Sequence, residues 1–226
     1  MAEKVILSVE TSEKVASLCV SRGDSILSSV KLDESEQQSA ELVPLLDKAL
    51  TNAEINSEEI GIIAVHVGPG AATGLRMGLA MVQAILAVHP HIVVYQVYLE
   101  NLACEALNQT QTEGIEAYLI ANAFGGGVFV QKYLKSTNDW CLDGELLQST
   151  PVEIVESLKD IVVIHDLGNL RQKIEWPLNW KWNDVKFVNA KNVLKAYLVG
   201  QSQEVNIDKL DVRYLKKTSA ELNWKG

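Results

Sequence analysis

Four histidines, three cysteines and a glycine-rich stretch are where this 226-residue chain could hold chemistry. A metal pair on a helix needs two imidazoles one turn apart. His66, His89, His91 and His165 are scattered over separate segments, and His89-Pro90-His91 reads as a surface loop. Cys19, Cys104 and Cys141 form no Cys-x-x-Cys pair and read as reduced thiols of a cytosolic protein, not as a disulfide framework or zinc knuckle. These patterns support no metal site, no catalytic set and no bound cofactor.

The segment from Gly68-Pro69-Gly70 through Thr73-Gly74-Leu75-Arg76-Met77-Gly78 follows an apolar run and opens a helix, where backbone N–H groups can hold an anion. It is either a phosphate or partner contact, or a strand-to-helix elbow whose glycines permit close packing and whose Thr73 caps the helix. Phe124-Gly125-Gly126-Gly127 is a phosphate-cradling nest or a hairpin turn. Glu10-Thr11-Ser12-Glu13-Lys14, after the first apolar run, has no glycine and carries two carboxylates that would repel phosphate.

The elements that must position these residues follow from periodicity. Val5–Val9 is a short apolar run suited to a central strand buried on both faces. Val15–Val20 and Ser25–Lys31 continue it as an antiparallel meander turned at Gly23. Ala40–Leu50 is helical, with Pro44 expected in its first turn or at a kink. A capped turn at Ser57, a strand over Gly61–Val67, a helix over Thr73–Val88, a strand over Ile92–Val97 and a helix over Leu99–Asn108 follow. Strand–helix–strand units return parallel and right-handed, so this order predicts a mixed sheet flanked by helices, the ribonuclease H-like arrangement. After a polar linker at 109–114 the pattern restarts, with strands over Ile115–Asn122, Val128–Leu134 and Ile161–His165 and a helix over Pro151–Leu158. The expectation is α/β, with residues 1–108 as one ribonuclease H-like domain and 109–226 as a second, smaller and eroded copy.

Composition narrows the function. Hydrophobic residues make up 47% and charged residues 22%, the balance of a globular chain. A net charge of −9 argues against a protein that grips nucleic acid unaided, because phosphate neutralisation supplies most of that affinity. The start meets Glu10 too soon for a signal peptide, and Gly78–Val88 is shorter than the ~20 apolar residues needed to span a bilayer. A soluble cytoplasmic protein with no membrane partner is expected.

Helix 73–88 is apolar almost all round (Leu75, Met77, Leu79, Ala80, Met81, Val82, Ala84, Ile85, Leu86), interrupted only by Arg76 and Gln83. A helix on the outside of a sheet needs one apolar stripe. Helix 42–50 is two-sided as well, with Val43, Leu46 and Leu50 added to Leu42, Leu45 and Ala49. Either the domains bury these faces or a partner does. Trp176, Trp180 and Trp182 form a contact site or patch a small core with large side chains.

Several segments in one order resemble the TsaB/TsaD family. Val65-His66-Val67-Gly68-Pro69-Gly70-Ala71-Ala72-Thr73-Gly74-Leu75-Arg76-Met77-Gly78 is similar to that family's G-x-G-P-G-S-F-T-G-[VIL]-R-[IVM]-G signature, with Ala71-Ala72 in place of Ser-Phe. Ile6–Ser12 resembles I-L-A-I-D-T-S, Gln38–Leu46 resembles H-S-E-x-L-L-P-x-I, and Leu99–Ala103 matches L-E-A-L-A. Val212-Arg213-Tyr214-Leu215 with Ala220-Glu221 resembles P-x-Y-L-R…A-E. The catalytic TsaD branch carries an H-x-x-x-H metal pair on the first helix; here Gln37, Gln38 and Glu41 stand in that region, without histidine. Kinases and ATPases of the wider actin/Hsp70/sugar-kinase fold carry a glycine in the first strand turn, absent here. In the second domain Asn122–Phe129 departs from D-A-R-x-G-E-V-Y.

The resemblance is therefore to the TsaB branch. It implies a catalytically silent subunit that binds a TsaD-like catalytic subunit, which transfers threonylcarbamoyl from its adenylate to adenosine 37 of tRNA. A TsaE-like ATPase joins, tRNA is met only indirectly, and self-association uses the same surface. The implied partner interface is Leu42, Val43, Leu46, Leu75, Arg76, Leu79, Val82, Gln83 and Leu86. Two alternatives stand beside it: an enzyme of the same fold (small-molecule kinase or metallopeptidase), and a homodimeric binding module with another client.

Overall fold

The computed structural model describes residues 3–110, 112–123, 126–137, 139–159 and 161–214. The chain divides into two compact units, residues 1–99 with 189–226, and residues 100–188.

Unit 1 is built on β1 (Val5–Glu10), whose six residues are all buried. β2 (Ser17–Arg22) and β3 (Ser25–Lys31) extend it as an antiparallel meander. α1 (Gln38–Ala53) leads through a short 3₁₀ turn at Ser57–Glu59, where Asn56 N–H donates to the Glu59 carboxylate at 3.0 Å, into β4 (Ile60–His66). α2 (Ala72–Val88) then leads to β5 (Val93–Val97). β4 lies parallel to β1, and β5 parallel to β4. Pro44 sits inside α1, beyond its first turn.

In unit 2, most of α3 (Leu99–Gln109) accompanies a sheet of β6 (Glu116–Asn122), β7 (Val128–Ser136), β8 (Asp139–Ser149), β9 (Val162–Asp166) and β10 (Lys181–Asn183). Its order, β10-β9-β6-β7-β8, repeats the first unit's β5-β4-β1-β2-β3 strand for strand. Each is an antiparallel meander whose first strand meets two parallel strands on its other side. Two ribonuclease H-like units are thus present, and the second is the eroded one. Its crossover helices α4 (Pro151–Ser157) and α5 (Leu170–Lys173) have 7 and 4 residues, against 16 and 17 in α1 and α2.

The structure divides the chain differently from the 108/109 boundary read in the sequence. α3 packs within unit 2, where the Cys104 thiol donates to the Trp140 carbonyl at 3.0 Å and the Tyr133 hydroxyl donates to the Glu100 carbonyl at 2.8 Å. Residues 189–214 rejoin unit 1. α6 (Ala190–Leu198) lays Ala190 and Leu194 on Ile6, Cys19 and Ile62, and β11 (Gln203–Val205) pairs antiparallel with β5. α6 covers the sheet face opposite α1 and α2, which a unit ending at β5 would leave wet.

Thiol reactivity follows from these positions. Cys19 and Cys104 are buried, and Cys141 is exposed on β8. Burial pushes the Cys19 thiol up to about 11, with Lys191 opposing weakly. It therefore stays protonated and unreactive below that pH, since the thiolate is the nucleophile. Titration of the native protein at pH 8 with a disulfide reagent is expected to give one fast thiol, abolished by Cys141→Ser, and three after denaturation. Fast modification of Cys19 would contradict its burial.

Candidate functional site

β1 and β4 run parallel with Val9 opposite Val65, so the next residues, Glu10 and His66, come side by side at the strand ends. Both are fully buried. His66 Nδ1 lies 3.2 Å from Glu10 Oε1 and 3.3 Å from Ser12 Oγ. Ser12 donates to the same carboxylate oxygen twice, from its hydroxyl at 2.6 Å and its N–H at 2.7 Å. These three types suggest a nucleophile relay, but the geometry is different. A relay uses both imidazole nitrogens, one toward the hydroxyl and one toward the carboxylate; here both groups share Nδ1. The cluster ties the turn after β1 to the end of β4, and leaves Glu10 Oε2 and His66 Nε2 buried without a hydrogen-bond partner among the described residues.

That turn is filled from the α2 side. A Cβ on Gly70 would lie 2.6 Å from Ser12 Cβ. One on Gly74 would meet the Thr11 carbonyl oxygen, and one on Gly78 the Thr11 hydroxyl, both well inside van der Waals contact. Ala71 N–H donates to the Ser12 carbonyl at 3.3 Å, and the Gln38 side chain donates to the Glu13 carbonyl from α1. The glycines of the elbow therefore serve close packing. Thr73 does not cap the helix: the N-cap is Ala71, without a side-chain bond, and Thr73 is exposed. Arg213 N–H donates to the Val67 carbonyl at 2.8 Å, which lays the segment before Tyr214 beside the elbow.

The expected interface residues separate by burial. Leu42, Leu75, Leu79, Val82 and Leu86 belong to unit 1's own core. They are corrected from contact residues to core residues, because α1 turns Leu42, and α2 the other four, into that core. Leu46 is half-buried against that core, while Val43, Arg76 and Gln83 are exposed. On α2 the outward face is Thr73, Arg76, Ala80, Gln83, Ala84, Ala87 and Val88, one side of the helix at 3.6 residues per turn. The apolar sleeve read from the sequence thus has an inward face of leucines, Val82 and two glycines, and an outward face on which three alanines stand among Arg76, Gln83 and Val88. The Arg76 guanidinium carbon lies 5.5 Å from the Tyr214 ring centroid.

In unit 2, Trp180 is buried in a core with Ile120, Val128, Ile154, Val163 and Leu167, and Trp176 and Trp182 pack against it. The tryptophans thus patch the small core. Asp184 accepts from His165 at 2.9 Å and from Arg171, and these two partners hold its carboxyl below its usual range. A shallow groove of about 390 Å³ runs past Thr110, Thr112, Lys181, Trp182 and Asn183. Its hydroxyls are taken up by the Asn183 amide at 3.1 and 3.2 Å. Phe124 and Gly125 of the second glycine run, and Leu215, Ala220 and Glu221 near the end, lie outside the described residues. Ala123 N–H donates to the Gly127 carbonyl at 3.1 Å.

Sequence reading missed the Glu10–Ser12–His66 cluster. Its signal was available: polar residues at the ends of two apolar runs that a right-handed crossover makes parallel neighbours.

The family model described as "TsaD: tRNA N6-adenosine threonylcarbamoyltransferase" matches residues 30–139. The "tRNA threonylcarbamoyladenosine biosynthesis protein TsaB" of Buchnera aphidicola subsp. Schizaphis graminum is 24% identical over 196 residues, covering 84% of this chain and 91% of that protein. A tRNA N6-adenosine threonylcarbamoyltransferase of Streptococcus suis is 27% identical over 163 residues, but the match spans only 47% of its length. Among solved structures, YeaZ from Pseudomonas aeruginosa superposes with a TM-score of 0.72 at 19% identity, over 94% of this chain and all of that one.

The two repeated sheets, each an antiparallel meander continued by parallel strands, define a protein of ribonuclease H-like architecture. Within that architecture the chain is similar along most of its length to a protein named for tRNA threonylcarbamoyladenosine biosynthesis, and shares its fold with YeaZ.

Proposed function

We propose that this chain is a non-catalytic subunit that binds and supports a TsaD-like catalytic subunit in threonylcarbamoylation of adenosine 37 of tRNA, in the cytoplasm, with a TsaE-like ATPase completing the assembly. The observation that carries the reading is the filled turn after β1. Ser12 and Thr11 pack onto the α2 glycines where a kinase or ATPase of this fold would need room for phosphate, and Glu10 Oε1 is engaged by Ser12 and His66. A closed centre with a TsaB-like chain around it favours a supporting role over an enzyme.

The partner surface in this reading is the outward face of α2 with the exposed part of α1: Val43, Leu46, Arg76, Ala80, Gln83 and Ala84. Small residues let a partner helix approach closely, and Arg76 and Gln83 supply the polar contacts of a rim. A second copy of this chain would use the same face. Among the described residues no helix is long and apolar enough to cross a membrane.

Co-purification with the TsaD-like protein of the same organism, and tRNA modification assayed with and without this chain, test the proposal. A stable complex, and modification lost without this chain, are expected. No complex with undiminished modification would overturn it. Ala84→Glu puts a charge on the outward face without touching the core. It is expected to weaken the complex at least 10-fold, measured by titration calorimetry, while the circular dichroism spectrum is unchanged. Wild-type affinity would remove α2 from the interface.

A further inference from the structure

We infer that Thr11 is a positioning residue for the outward face of α2. This rests on the partner role proposed above and specifies what holds that surface in place. α2 approaches β1 through glycines at two successive turns, and the same residue meets both. The Thr11 backbone oxygen lies well inside van der Waals contact of a Cβ built on Gly74, and its hydroxyl equally close to one built on Gly78. Thr11 is itself fully buried and leads directly into Ser12, which Glu10 and His66 clamp. At its glycine side the height of α2 above the sheet is therefore set by one residue on a clamped turn, while Leu75, Leu79, Val82 and Leu86 pack into the core on the inward face. A helix displaced by even an ångström presents Arg76, Ala80 and Ala84 at the wrong level for close helix packing.

The two glycines differ in a way that makes the inference testable. At Gly78 the obstruction is the Thr11 side chain. Removing it leaves Thr11 Cβ at 3.2 Å from a new Cβ, a tight contact relieved by a few tenths of an ångström. At Gly74 the obstruction is backbone, which no substitution at residue 11 removes.

The experiment measures the dissociation constant for the TsaD-like subunit and the melting temperature. The proteins are wild type, Gly78→Ala, Gly74→Ala, Thr11→Ala and the two Thr11→Ala double variants. Gly78→Ala is expected to lose at least 10-fold in affinity and to melt lower. Thr11→Ala/Gly78→Ala is expected to return to within about 3-fold of Thr11→Ala, by the usual logic of coupled neighbours. Gly74→Ala is expected to gain nothing from Thr11→Ala. Affinity unchanged in Gly78→Ala, or no recovery in its double variant, would overturn the positioning role. If Gly78→Ala does not fold, Thr11→Ala/Gly78→Ala decides the matter alone: folded and binding supports the role, unfolded overturns it. If wild type binds no TsaD-like subunit, the proposed function fails. Recovery of melting temperature in the Gly78 pair but not the Gly74 pair then still decides whether Thr11 sets the seat of α2.

Discussion

Val82→Glu is expected to unfold unit 1, not to release a partner from an intact surface. Val82 was expected at the interface because the α2 sequence is apolar on every side. In the structure it is fully buried in the core, with Leu75, Leu79 and Leu86 on the same inward face. A glutamate there would lose the valine's packing and place a carboxylate where nothing solvates it. Burying an unpaired charge belongs to the small set of substitutions that cost about 4 kcal/mol or more. That is a large part of the roughly 5–15 kcal/mol that holds a domain together. Expression in the insoluble fraction, or a urea midpoint lowered by well over 1 M, is the result to look for. Ala84→Glu, two residues on and outward, is expected to leave the midpoint within experimental error. A soluble, natively stable Val82→Glu protein would mean that α2 is rotated from the orientation described here.

This contrast locates what the sequence could and could not disclose. β1, β4, β5 and the two long helices were legible within a few residues, because buried strands are short apolar runs and α2 is a long one bounded by glycine and histidine; β3, mostly exposed, was legible from the turn at Gly23 that returns the chain. Orientation about the α2 axis was not legible. Alanine and leucine both count as apolar, and only packing against β1 decides that Leu79 goes inward and Ala80 outward. β8 was missed because an edge strand carrying Asp139, Asp143, Gly144 and Glu145 shows neither an apolar run nor alternation. The return of α6 and β11 to unit 1 was missed for a different reason. Their own sequences announce a helix and a short strand at most, and nothing local says which sheet they will join.

The candidate site shows the same division. The elbow glycines were found, and their packing role was one of two readings; contact with Thr11 and Ser12 decides between them. The Glu10–Ser12–His66 cluster needs residues 54 and 56 positions apart to meet, so it emerges only once β1 and β4 are known to be parallel neighbours. Those neighbours satisfy one oxygen of the buried carboxylate, Oε1, which accepts two bonds from Ser12 and lies beside an imidazole nitrogen, while Oε2 and His66 Nε2 are buried without a hydrogen-bond partner among the described residues.

Trp180→Ala is expected to unfold unit 2 selectively. Short α4 and α5 leave one face of the second sheet without the long helices that cover the first, and aromatic bulk takes their place. Trp180 sits 5.7 Å from Trp176 and 5.9 Å from Trp182, ring centre to ring centre. It is buried against Ile120, Ile154 and Val163, residues of β6, α4 and β9. Truncating it removes the side chain that joins strand and helix packing, and such truncations cost about 3–5 kcal/mol. A unit with so small a core has little stability to spare. Urea unfolding followed at 295 nm by tryptophan fluorescence, which is dominated by unit 2, should move to markedly lower urea. Circular dichroism should then split into two transitions, since α1, α2 and α6 belong to the other unit. Leu178→Ala, at a fully exposed position between the same tryptophans, serves as the control and should change nothing. If Trp180→Ala were equally silent, the tryptophans would not be holding the core, and a contact role for them would have to be taken up again.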